Sequence, residues 1–98
     1  MYRILLSDRA ERELVLSWEW YEERQEGLGY RFIEEFRNKV KKIEHNPELY
    51  AIKFSSYRET IIPDFPLLII YRISKRKRVV RIVSIFHTSR STFNKYRG

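Results

Sequence analysis

Cysteine is absent from the 98-residue chain, which excludes disulfide frameworks, thiolate nucleophiles and thiolate zinc sites together. Only three glycines and three prolines occur, too few for a flexible linker. The clustered pair, Gly27 and Gly29, lies between two helical patterns and makes no Gly-rich phosphate loop. No apolar run approaches the roughly 18 to 20 residues that cross a bilayer, and Met1 leads straight into patterned sequence without a secretory apolar region. A soluble cytoplasmic protein without membrane contact is expected. Acidic residues are scarce in the second half, where residues 50–98 hold 11 Lys/Arg against only Glu59 and Asp64, a balance of +9.

Against these absences stand 43% hydrophobic and 15% aromatic residues, enough apolar area for one packed core. A chain of this length is expected to form a single domain over residues 1–98, burying roughly 60–70% of its unfolded surface. The first half is nearly balanced, with 9 Lys/Arg against 11 Asp/Glu in residues 1–49. The basic half is therefore where an anionic partner is expected, a nucleic acid, a ribonucleoprotein or an acidic protein. Its candidate contacts are Lys53, Arg58, Arg72, Arg81, His87 and Arg90.

Tyr2-Arg3-Ile4-Leu5-Leu6 is short and apolar and halts at Ser7-Asp8, a helix N-cap pair with Glu11 three residues beyond. Ala10, Leu14, Trp18 and Tyr21 then recur on one helical face. After the Gly27/Gly29 turn, Phe32, Phe36, Val40 and Ile43 repeat the pattern until Asn46-Pro47 ends it. A helical hairpin over 8–46 follows. From residue 50 the pattern is extended through Tyr50–Phe54 and Tyr57–Ile62, then Leu67–Ile73 and Val79–Phe86, with a polar tail over 87–98. The order β-α-α-β-β-β without crossover helices predicts an α+β fold, an antiparallel sheet with a two-helix hairpin packed on one face.

Lys75-Arg76-Lys77-Arg78 separates two apolar strands and reads as a solvated hairpin tip rather than a targeting signal. Two distant histidines, His45 and His87, and scattered carboxylates leave no metal-ligand spacing, so neither a metal nor another cofactor is expected. His45 falls near the carbonyl end of helix two. Ile85-Phe86-His87-Thr88-Ser89-Arg90 delivers an imidazole and a guanidinium together, groups able to move a proton and to hold a phosphate. A metal-independent nuclease would draw on His87, Arg90, Arg58 and Tyr96. Leu16 and Trp20, four residues apart, form a second apolar stripe on helix one, which either packs internally or receives another chain's helix.

The order and spacing of several short segments resemble toxins of the RelE/ParE superfamily from type II toxin-antitoxin modules, closest to its ParE-like branch. They are Tyr2-Arg3-Ile4-Leu5-Leu6-Ser7, Trp20-Tyr21-Glu22-Glu23, Gly27-Leu28-Gly29, Arg31-Phe32, Asn46-Pro47-Glu48-Leu49-Tyr50, Tyr57-Arg58, Phe65-Pro66, Ile70-Tyr71-Arg72 and Phe86-His87-Thr88-Ser89-Arg90. The resemblance covers nearly the whole chain. It implies a growth-inhibiting, plasmid-stabilising toxin and a cognate antitoxin whose disordered segment folds onto it, with Leu16 and Trp20 as the expected antitoxin contacts and a toxin-antitoxin hetero-oligomer as the product.

Two activities occur in that superfamily. ParE-like members poison DNA gyrase without chemistry of their own, whereas RelE-like members cut messenger RNA in the ribosomal A site. Leu68 stands where RelE-like nucleases commonly carry a catalytic Arg, and His87 is followed by Thr88 instead of the Tyr of a His-Tyr pair. The expectation is accordingly a ParE-like gyrase inhibitor, with a RelE-like endonuclease acting on ribosome and mRNA as the alternative. Departures from the ParE-like pattern also occur, at Pro63-Asp64 and in a tail from Ser91 to Tyr96 that lacks Pro.

Overall fold

In the computed structural model, residues 1–90 and 95–96 are described; the parts of the tail reading that fall on 91–94 and 97–98 lie outside them. Strand β1 (Arg3–Leu6) leads into helix α1 (Asp8–Arg24), and helix α2 (Leu28–His45) follows after a tight turn. A short 3-10 turn (Pro47–Leu49) precedes β2 (Ile52–Phe54), β3 (Tyr57–Ile61), β4 (Leu67–Ser74) and β5 (Val79–His87). The five strands form one sheet in the order β1-β5-β4-β3-β2. The Ser55-Ser56 turn divides the extended stretch after Pro47 into two strands. Neighbours β2 to β5 pair antiparallel, while β1 joins the far edge parallel to β5, Arg3 opposite Val79 and Leu6 opposite Ile82. That one parallel pairing departs from the fully antiparallel sheet expected from strand order alone.

The helical hairpin covers one face of the sheet. Ala10, Leu14, Trp18 and Tyr21 of α1 and Phe32, Phe36, Val40 and Ile43 of α2 pack with Leu67, Ile69, Tyr71, Val80, Ile82 and Ile85. The helix residues among them are those that the 3.6-residue period selects. The opposite, outer face carries a second, smaller cluster of Ile70, Val83 and Phe86 with Tyr57, Leu68 and Tyr96. Because both faces are lined, β4 and β5 read as nearly continuous apolar runs.

Helix α1 starts where Ser7 caps it: the Ala10 N–H donates to Ser7 Oγ at 3.1 Å. The same hydroxyl donates to the Val83 carbonyl at 3.0 Å. Between α1 and α2, Gly27 takes a φ of +87°, the left-handed turn that favours glycine. Gly29 does something different from the turn role its spacing suggests. It lies inside α2 against α1, where an added Cβ would meet the Trp18 carbonyl oxygen at 2.8 Å. Glu22 of α1 accepts from the Gly27 and Gly29 N–H groups, both at 2.9 Å, and so caps the start of α2 from its neighbour.

Candidate functional site

The register of β4 and β5 shifts at Ile70/Tyr71, so that Ile70 faces Ser84 and Tyr71 faces Ile82, leaving Val83 as the extra residue of a bulge. Beyond Ile82 the outer edge of β5 has no strand partner, because β1 ends at Leu6. Helix α1 takes over that edge with Glu13, a carboxylate only 9% exposed. Glu13 accepts from the Ile85 N–H at 3.0 Å and the Ser84 hydroxyl at 2.7 Å. Its other oxygen lies 3.3 Å from both Arg9 Nε and Arg90 Nη1. Four donors thus compensate one buried charge, the condition under which a carboxylate is tolerated inside.

Where α1 diverges from β5, a groove of about 540 Å³ opens. Glu13, Leu16, Trp20 and Tyr21 form its helix side, and Pro66, Ile85, His87 and Arg90 its sheet side. Leu16 is 61% and Trp20 51% exposed, so their stripe is not packed internally. Trp20 stands edge-on to Tyr21 at 5.2 Å and carries the Arg24 guanidinium 3.7 Å above its ring. At the strand end, the Ser89 N–H donates to His87 Nδ1 at 3.1 Å, with the Ser89 hydroxyl 2.7 Å from the same nitrogen. Nδ1 therefore serves as an acceptor, which places the ring hydrogen on Nε2. The result is an apolar trough with cationic groups on its rim.

The fold distributes the remaining sequence candidates over separate places. Arg58 lies opposite Tyr71 on the helix-facing side, where its Nη1 donates to the Tyr50 carbonyl at 2.7 Å and the Glu48 carbonyl at 3.4 Å. It anchors the segment that follows α2. His87 pairs with Leu67, four residues from Tyr71 along β4, so Arg58 stands one strand over from that row and roughly 13 Å along it. Tyr96 is on the outer face, stacked on Phe54 at 4.7 Å and donating to Glu59, which also holds Lys95 at 3.0 Å. Burial and the Glu59 carboxylate push the Tyr96 phenol up to about 12. Lys53 is exposed on the edge strand β2. Arg72 and Arg81 face each other across β4 and β5, both exposed. His87 and Arg90 share the groove with Leu16 and Trp20, whereas Arg58 and Tyr96 do not join them. Among the described residues no group of three or more His, Asp or Glu gathers where a metal ion could sit.

Glu13 is the site residue that sequence reasoning passed over. The available signal was an acid set within the Ala10, Leu14, Trp18 stripe, three residues after Ala10, on the face that must be buried.

This architecture, a two-helix hairpin on one face of a five-stranded, mostly antiparallel sheet, is an α+β fold shared with known toxins. One chain of the chromosomal ParDE TA system from P. aeruginosa superposes with a TM-score of 0.74 at 14% identity, over 91% of this chain and 98% of that one. A chain of the intact E. coli RelBE toxin-antitoxin complex gives 0.68 at 17% identity, over 92% and 100%. The isolated E. coli RelE toxin gives 0.65 at 17% identity, over 97% and 93%. No curated protein matches the chain. The family model of the ParE toxin of the type II toxin-antitoxin system parDE matches residues 4–92. The chain belongs to that family and is a toxin of the RelE/ParE superfamily. No helix among the described residues is long and apolar enough to cross a membrane.

Proposed function

We propose that this toxin arrests growth by inhibiting DNA gyrase through binding alone, and that a cognate antitoxin neutralises it. The observation that carries the reading is the dispersal of the nuclease set. His87 and Arg90 lie in the helix-side groove, Arg58 is spent on the Tyr50 and Glu48 carbonyls, and Tyr96 is held by Glu59 on the other face. The central strand offers only Leu68 where a phosphate-stabilising cation would be needed. A metal-free ribonuclease requires a base, an acid and a cation around one phosphodiester, and these groups do not converge.

The trough at Leu16 and Trp20 suits an acidic amphipathic segment, with apolar anchors for its floor and carboxylates for Arg24 and Arg90. That chemistry makes it the seat for the antitoxin, and toxin with antitoxin would form a hetero-oligomer. The decisive experiment is supercoiling of relaxed plasmid by gyrase of the native host, with and without the purified toxin. Inhibition with trapped, cleaved DNA is expected. Full supercoiling at saturating toxin would overturn the reading.

The adjacency of His87 and Arg90 in one groove favours one alternative, a RelE-like ribosome-dependent endonuclease. Under that alternative, transcripts would carry codon-phased cuts after induction, and the cuts would vanish in H87A/R90A.

A further inference from the structure

The outer face of the sheet carries a second hollow, of about 330 Å³, at the end of β4 and β5 remote from His87. Arg72, Lys77 and Arg81 line it together with Ser56 and Ser74. Arg72 and Arg81 are direct cross-strand partners, so their side chains start about 5 Å apart. Like charges set opposite each other on a ladder destabilise the pair, and among the described residues neither Arg72, Lys77 nor Arg81 has a carboxylate partner. The Arg72 guanidinium is held 5.3 Å over the Tyr57 ring, which orients it without neutralising it. Ser74 Oγ accepts from the Lys77 N–H at 3.4 Å, leaving its own hydrogen free to donate.

The adjoining tip adds Arg76, Arg78 and Lys75, the last paired with Glu48 at 3.2 Å. Arg78 takes a φ of +54°, a conformation that glycine or asparagine adopts with less strain. Cations thus occupy even the position where the turn favours another residue.

We infer that Arg72, Lys77 and Arg81, with the Ser56 and Ser74 hydroxyls, form a binding site for the phosphodiester backbone of a nucleic acid. Two guanidiniums and an ammonium around a hollow, with hydroxyl donors between them, suit the oxygens of neighbouring phosphates along one strand, about one phosphate to each cation. An acidic peptide fits less well. It needs apolar anchors to offset the cost of ordering it, and five of the seven residues that line the hollow are polar or charged. This site stands independently of the gyrase reading, and loss of either leaves the other intact.

The test is fluorescence anisotropy of labelled oligonucleotides, a duplex DNA and a single-stranded RNA in parallel, titrated with the full chain over a range of salt. Wild type is expected to bind at low salt. R72Q/R81Q should bind at least tenfold more weakly, with the slope of log affinity against log salt shallower by about 1.8 on duplex DNA, or about 1.4 on a single strand. The arm that binds more tightly names the natural source of the phosphodiester. A charge-matched control, K41Q/K42Q on the exposed side of α2, should retain wild-type affinity. K77Q, at the exposed tip, gives a second reading that does not depend on the folding of the double variant, with a loss of about 0.7–0.9 in slope. Four results would overturn the site: unchanged binding by R72Q/R81Q, unchanged binding by K77Q, an equal loss in K41Q/K42Q, or binding of a poly-glutamate peptide as tight as the oligonucleotides and equally dependent on Arg72 and Arg81.

Discussion

A single buried carboxylate joins the first helix to the last strand. Glu13 satisfies the Ile85 N–H and the Ser84 hydroxyl at the point where β1 has ended and the outer edge of β5 has no strand partner. Glu13→Ala would leave two buried donors without an acceptor, at a cost of about 2–4 kcal/mol; urea denaturation should show it, and an unchanged midpoint would mean that water reaches this edge. Tyr71 makes the comparable contact on the other side of the core, its hydroxyl donating to the Pro47 carbonyl at 2.7 Å. Burial, only partly opposed by the Arg58 charge, pushes its phenol from 10.0 up to about 12. Below pH 10 the folded and unfolded chains both keep this proton and the stabilisation is intact. Between pH 10 and about 12 the unfolded chain ionises first, so stability falls. Tyr71→Phe should be less stable at neutral pH by about 1–2 kcal/mol and should lose less stability across that alkaline window, as read from denaturation curves at successive pH values.

The helical hairpin is the element whose closeness depends on one missing methyl. At Gly29 a Cβ would meet the Trp18 carbonyl at 2.8 Å and Glu22 Oε1 at 2.9 Å, and the Glu22 carboxylate is already committed to the Gly27 and Gly29 N–H groups. Gly29→Ala therefore separates α1 from α2 or displaces the cap, a cost of about 1–3 kcal/mol that helix propensity offsets by at most about 1. Thermal denaturation should give a lower midpoint for the variant. A raised midpoint would show that the hairpin can widen freely. The helices themselves were legible from spacing, since Ala10, Leu14, Trp18 and Tyr21, and Phe32, Phe36, Val40 and Ile43, all meet the sheet. What spacing could not reveal was that the second glycine serves a helix contact instead of the turn, because a glycine's conformation and its clearance leave the same mark on a sequence.

Over the whole molecule the charge split becomes a division between layers. The nearly balanced half builds the helical hairpin and the basic half builds four of the five strands, so one side offers an apolar trough and the other a cationic sheet face. Leu16→Glu, at an exposed position, should shift unfolding free energy by no more than about 0.5 kcal/mol yet weaken antitoxin capture by tenfold or more. Calorimetry with the purified antitoxin checks this, and undiminished affinity would move the antitoxin off the trough. Composition and periodicity by themselves determined the helical hairpin, the extended second half and the site of excess positive charge, because local propensity, the 3.6-residue repeat and short apolar runs act over neighbouring residues. The likeness of short segments in order was enough to reach the superfamily. Tertiary structure alone decided that β1 lies parallel to β5, that Leu16 and Trp20 stay in solvent, that Glu13 is buried, and that Arg58 and Tyr96 part company with His87 and Arg90. Each of these depends on which distant strand or helix arrives alongside, and a side chain's role follows from the donors, acceptors and burial it meets there.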